Sequence, residues 1–116
     1  GNDCLDLSYG VYEIKNIKVK KCADKGISAG ENSNMKIETL NAKEVNIGIA
    51  SKDYARVFVN NLFIDTVKDC INAYNKKQEF SGGFINVKKM NCVNYKNLEV
   101  QDNASKILIN WWRQHF

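Results

Sequence analysis

Short alternations of apolar and polar residues recur along this chain. Ile27/Ala29, Met35/Ile37 and Leu40/Ala42 are apolar at every second position, and Val57/Val59 with Leu62/Ile64 repeat two of these bursts 22 residues later. Period-two alternation over so few residues, bounded by Gly, Asn, Asp and Ser, predicts short strands with one buried face. The bursts are copies of one unit. Asn46-Ile47-Gly48-Ile49 falls beneath Asp24-Lys25-Gly26-Ile27, and Val57 to Leu62 falls beneath Met35 to Leu40. The anchors Leu5, Ile27, Ile49, Ile71 and Leu98 follow one another at 22, 22, 22 and 27 positions. A period in this range predicts a repeat architecture. Three such strands bury nothing alone. Stacked about 4.8 Å apart, each on its equivalent in the next copy, their apolar positions become continuous interior columns.

This pattern resembles a right-handed, single-stranded parallel β-helix of the pectate-lyase-like superfamily, and the resemblance runs from Asp3 to about Asn110. It implies an all-β solenoid of about five coils of roughly 22 residues. The coils read as 1–23, 24–45, 46–67, 68–94 and 95–110, with 111–116 as an aromatic C-terminal cap or docking tail. Asn16, Thr39, Asn61 and Lys89 recur at the bend before each third strand, where such folds often carry an asparagine ladder in left-handed backbone. Only two of the four are Asn, so a broken ladder is expected. Asp24-Lys25-Gly26-Ile27-Ser28 and Asn46-Ile47-Gly48-Ile49-Ala50, with the Tyr74–Glu79 segment, also resemble β-helix tails of spore-coat-type kinase-like proteins.

Two coils depart from the pattern. Coil one is one residue shorter than its successors between its first and second strands. In coil four, Val67, Cys70, Ile71 and Tyr74 have the spacing of a helical stripe, but Cys70-Ile71-Asn72-Ala73 lies in register with Gly48-Ile49-Ala50-Ser51. Strand followed by loop is the expectation there.

Composition narrows the classes. The 116 residues make one domain, and Pro is absent, as strands that need every N–H require. The net charge of +4 comes from lysines scattered among acids. A nucleic-acid binder concentrates its cations on one face, so no nucleic-acid partner is expected. No apolar run reaches the length of a membrane span. The Gly1 start reads as a cut, so the chain is expected to be the C-terminal part of a longer protein. Of the four cysteines, Cys4 and Cys70 hold equivalent positions about 14 Å apart along the stack, beyond a bridge. Cys92 shares the column of Val19, Ala42 and Ile64, and Cys22 sits in a turn. Free thiols are expected throughout. The single His lies at the far end, so neither a metal site nor a cofactor is expected.

Candidate binding residues lie where the repeat is interrupted. Coil four carries extra residues in Tyr74–Gly83, which bring Tyr74, Lys76, Lys77, Glu79 and Phe80 beside the turn of Asp53, Tyr54 and Arg56. Insertions in solenoids map to loops on one face, frequently the binding face. Aromatics beside hydrogen-bonding groups suit a sugar, and the same residues suit a loop folded over the flank. The outward Phe58 and Phe63 are a second, smaller candidate surface. Trp111, Trp112 and Phe116 are candidates for closing the open end, or for docking another chain.

The superfamily contains polysaccharide lyases and glycoside hydrolases, so a carboxylate set is the feature to look for. The outward first-strand positions read Asp6, Ser28, Ala50, Asn72 and Glu99, with no two acids adjacent. The Asn-Thr-Asp, Asp-Asp and Gly-His-Gly signatures of the polygalacturonases are absent. The resemblance therefore points to a non-catalytic module of a bacterial surface or secreted protein, a rigid scaffold or carbohydrate-contacting surface, extracellular or at the cell surface. The alternatives are the tail of a lyase or hydrolase whose catalytic coils lie upstream, and a self-assembling solenoid that forms homo-oligomers through its open end or C-terminal aromatics.

Overall fold

The structure is a computed structural model and describes residues 2–113, with Trp112 and Arg113 as backbone only. Among the described residues it is a β-solenoid without a helix. Its six strands are β1 (Leu5–Leu7), β2 (Gly10–Ala29), β3 (Ser33–Lys52), β4 (Arg56–Tyr74), β5 (Phe84–Gln101) and β6 (Lys106–Arg113). They form one sheet in sequence order, and every pairing is parallel. β2 to β5 each bend around most of a coil, so the backbone ladder continues through the corners between the short strands that the alternation predicts.

Register is what makes the core. Ile27, Ile49 and Ile71 stack in pairs, as do Ile37, Val59 and Val87, then Leu40, Leu62 and Met90. Nearly all of these are sealed from solvent in the middle coils. The segment Val67–Tyr74 is strand, continuing β4 to its end. Local helical spacing loses there because Ile71 is already the next rung of an interior column. The shorter turn of coil one is present, and a bulge between Cys22 and Lys25 restores the common offset.

Three expectations need correction. Ile71 pairs with Glu99 and Asn72 with Val100, so the anchor of the fifth coil is one residue beyond Leu98. The ladder holds a constant offset of 28 from Phe84 to Gln101, and backbone pairing outranks the match of apolar residues. Left-handed backbone occurs at Lys21, Glu44, Thr66 and Asn94, the corner after the third strand, instead of at Asn16, Thr39, Asn61 and Lys89. Asn61 donates to the Glu38 backbone carbonyl at 3.4 Å, and three other asparagines bond carboxylates one coil away: Asn46 donates to Asp24 at 3.1 Å, Asn60 to Glu38 at 2.6 Å and Asn97 to Asp69 at 2.8 Å. Ser28 and Ala50 are buried on what the alternation makes the outer side of the first strand.

The cysteines are the largest correction. Cys4 is bonded to Cys22 and Cys70 to Cys92, with Cα atoms 5.5 and 6.5 Å apart. Each bridge closes one coil across its own interior. The column containing Gly26, Gly48 and Cys70 faces the column of Val19, Ala42, Ile64 and Cys92. A Cβ on Gly26 would stand 3.1 Å from Val19 Cγ2, and one on Gly48 would collide with Ile64 Cδ1. Two columns this close leave room for glycine against an aliphatic side chain, or for the Cys70–Cys92 disulfide, whereas Cys4 in the glycine column bridges to Cys22, which stacks with Val45 in a separate column. Equivalent positions three coils apart, such as Cys4 and Cys70, are too distant to bridge, whereas cysteines on opposite sides of one coil are within reach.

Two outcomes follow from this packing. Ile49→Asp puts an unpaired charge in a sealed column and abolishes folding, while Ile49→Ala lowers stability by about 2–5 kcal/mol in urea denaturation. A parent-like melting curve for Ile49→Asp would show the column assignment to be wrong. Peptide mapping without reductant yields the 4–22 and 70–92 pairs and no free thiol, and replacing Cys70 and Cys92 together by Ala costs about 3 kcal/mol.

Candidate functional site

The interrupted coil builds a compact loop. Nine residues separate Tyr74 from Phe84 where three separate their partners Lys52 and Arg56, and the chain must fold the surplus back onto the flank. Asp53 is its anchor. The residue is fully buried and left-handed (φ 54°), and its Oδ1 accepts from the backbone N–H groups of Lys76 at 2.7 Å and Lys77 at 3.0 Å. Asn75 adds a second tie. Its Nδ2 lies 2.7 to 2.9 Å from the carbonyl oxygens of Lys77, Phe80 and Ser81, and its backbone N–H donates to Asp102 at 2.7 Å. An Asn side chain that gathers several carbonyls of a following turn holds that turn shut.

The remaining predicted residues are brought together, and most are engaged by neighbouring side chains. Lys77 Nζ lies 2.9 Å from Glu31 Oε2, and this pairing holds the Lys77 ammonium above and the Glu31 carboxyl below their ordinary pKa values. Tyr54 and Phe80 meet edge to face with centroids 5.7 Å apart. Arg56 lies over Phe84 at 4.7 Å and over Phe58 at 5.5 Å, and those two rings are themselves 5.6 Å apart. Tyr74 is half-buried, and burial pushes its phenol upward. Lys76 and Glu79 are exposed. Of the smaller candidate pair, Phe58 is thus covered by its neighbours and Phe63 stays 45% exposed.

Beside the loop runs a charged staple across the first coils. Lys25 donates to Asp24 at 2.8 Å and stands 3.8 Å from Asp3, while Asn46 donates to the other oxygen of Asp24. The bonds from Lys25 and Asn46 hold the Asp24 carboxyl below its ordinary value. Burial pulls the Lys25 ammonium down most strongly, but its bond to Asp24 together with the charges of Tyr74, Asp3 and Asp24 leaves it raised.

A different face gathers free groups. The outward positions of the third strands form a grid in register: Lys18 beside Asn41, Asn41 beside Phe63, and Phe63 beside Asn91. Lys20, Lys43 and Asp65 flank it on one side, and Asn61, Lys89 and Trp111 on the other. A shallow trough of about 530 Å³ runs along it, with a smaller one of about 140 Å³ between Phe63 and Trp111. Trp111 is 51% exposed and continues the strand pairing opposite Lys89. Phe116 lies outside the described residues, as do the side chains of Trp112 and Arg113. Lys18, Lys20, Lys43 and Lys89 are all exposed. Among the described residues, the side chains of these lysines and of Asn41 and Asn91 make no hydrogen bond or ion pair. Lysines scattered in sequence are thus collected in space. The signal was present in the repeat, as residues at the same offset in successive copies.

Among the described residues no group of three or more His, Cys, Asp and Glu is disposed to hold a metal ion, and no helix is long and apolar enough to cross a membrane. Along the first strands, Asp6 pairs with Ser28, Ser28 with Ala50 and Ala50 with Asn72, so no carboxylate stands beside another in that column. No protein-family model, curated protein or solved structure matches the chain.

The Asp24 staple gives a pH dependence with a definite sign. A carboxyl held below its ordinary value of 3.8 contributes stability that is complete above that pH and is lost as pH falls through the folded value, because the unfolded chain takes up the proton first. In urea titrations Asp24→Asn is less stable than the parent by a constant margin between about pH 5 and pH 7. That margin shrinks below pH 4. A margin that grew on acidification would contradict the staple.

Proposed function

We propose that the chain is a non-catalytic β-solenoid module of a surface or secreted protein, a rigid scaffold whose third-strand face contacts carbohydrate. The observation that carries this reading is the outward grid, where exposed Phe63 and Trp111 flank the Asn41 and Asn91 amides, which make no hydrogen bond among the described residues. A ring face stacks on the apolar side of a pyranose, and free amides donate to and accept from its hydroxyls. The expected loop of Tyr74 to Phe80 supports the reading differently, as the tied-down flank of a stiff rod. Two disulfides suit an oxidising, extracellular setting, where such bonds form and persist.

A second reading has one observation in its favour. Leu5, Leu7, Ile14, Ile17 and Val19 of the first coil are only partly buried, while their partners one coil inward are sealed or nearly so. An unpaired parallel edge backed by apolar side chains is a template for another coil, which another copy of the chain would supply.

A glycan array, with parallel assay for released sugar ends, tests the first reading. The expected result is retention of at least one polysaccharide without product, weakened up to about tenfold in Phe63→Ala. Product release would make the chain a catalyst, and an empty array would remove the carbohydrate face.

A further inference from the structure

We infer that the first coil is a dimer surface, on which its second strand pairs antiparallel with the same strand of a second copy, about a two-fold axis at Ile14. This rests on the self-association reading and specifies which end meets which.

An open edge supplies the surface. From Gly10 to Lys20, β2 is bonded to β3 on one side, and among the described residues no strand covers the other. The apolar side chains Tyr12, Ile14, Ile17 and Val19 behind that edge are only partly buried, and Val11 is 76% exposed. An unpaired edge of this kind is a template for another strand.

Charge selects the occupant and its direction. A two-fold axis sets each residue opposite the one equally far along on the other side of it. Centred on Ile14, it sets Glu13 of each copy opposite Lys15 of the other, two contacts of opposite charge between exposed side chains. Within the chain Glu13 already stands beside Lys36, and Lys15 shares the same groove with Glu38. The dimer therefore extends an existing checkerboard. Lys36 and Glu13 of one copy are followed down the stack by Lys15 and Glu38 of the second, with the sign alternating at every step. The other strands of the coil are not self-complementary. An axis at Val19 sets Lys18 against Lys20, and an axis at Asp6 sets that carboxylate against itself. Like charges directly opposite destabilise a strand pair.

The far end of the solenoid does not fit this edge. Ile71 pairs with Glu99, so a ladder continued end to head places Glu99 beneath Leu5, in a column that is apolar in the other coils. The same register sets Leu108 against Glu13. Covering a carboxylate without a partner is costly. A contact of first coil with first coil closes at two copies, whereas an end-to-head contact goes on adding them.

The test is sedimentation of the intact chain, disulfides formed, from micromolar to millimolar concentration. Expected is a monomer–dimer equilibrium that stops at two copies. Glu13→Lys alone and Lys15→Glu alone each set like charges opposite one another twice, and each weakens the dimer about tenfold or more. Mixed in equal amounts, the two variants form a dimer of parental strength, because opposite charges then meet at both contacts. Both positions are exposed, and cooperative melting of each variant confirms that folding is intact. Leu108→Asp, at the far end, leaves the dimer unchanged. Species that grow beyond two copies and are dispersed by Leu108→Asp would overturn the first-coil dimer while self-association stands. A mixture no tighter than its separate variants would do the same. A single copy at every concentration removes both.

Discussion

No coil of this protein can bury its own apolar face, because three strands of a few residues enclose almost nothing. Stability has to come from the parallel ladder, in which each coil supplies the floor on which the next one sits. Burying a side chain such as Ile49 contributes about 1.5–3 kcal/mol, but only if Ile27 lies on one side and Ile71 on the other. A slip of one residue would turn every inward side chain outward. Register is therefore the quantity on which core, corners and surface all depend.

The same constraint explains the irregularities. Columns that approach too closely for two side chains carry Gly26 and Gly48 against aliphatic residues, and one coil later the pair is Cys70 and Cys92. Surplus residues are expelled at one corner, where Asp53 and Asn75 tie them down. Four of the left-handed residues, Lys21, Glu44, Thr66 and Asn94, are collected in one column of the corner after the third strand. Because the scaffold repeats, outward residues at equal offsets are also stacked. Lysines far apart in sequence become a cationic strip without any charge run that a linear reading would notice.

Much of this was legible from periodicity. The solenoid, the inward columns and the strand identity of Val67–Tyr74 all follow from aligned alternation, since register needs only offsets along the chain. What escaped needed distances across a coil. The disulfides join facing columns, and no offset says which columns face each other. The fifth coil slipped by one residue because Leu98 matches Ile71 in character, whereas the backbone ladder aligns Glu99. The loop was correctly located as an insertion, but whether its polar groups were spent internally depended on Asp53 turning inward. The candidate face was missed because outward positions were read down the stack for the first strand and not for the third.

The most direct test of the account is the pattern of through-space proton contacts between backbone groups, measured by NMR on the oxidised chain. In-register parallel stacking predicts contacts linking the Ile27, Ile49 and Ile71 strands at separations of 22 residues, and linking Val59 to the Val87 strand at 28. Contacts three and four residues apart running through Val67–Tyr74, or an absence of contacts at those long separations, would contradict the stacked register and everything built on it.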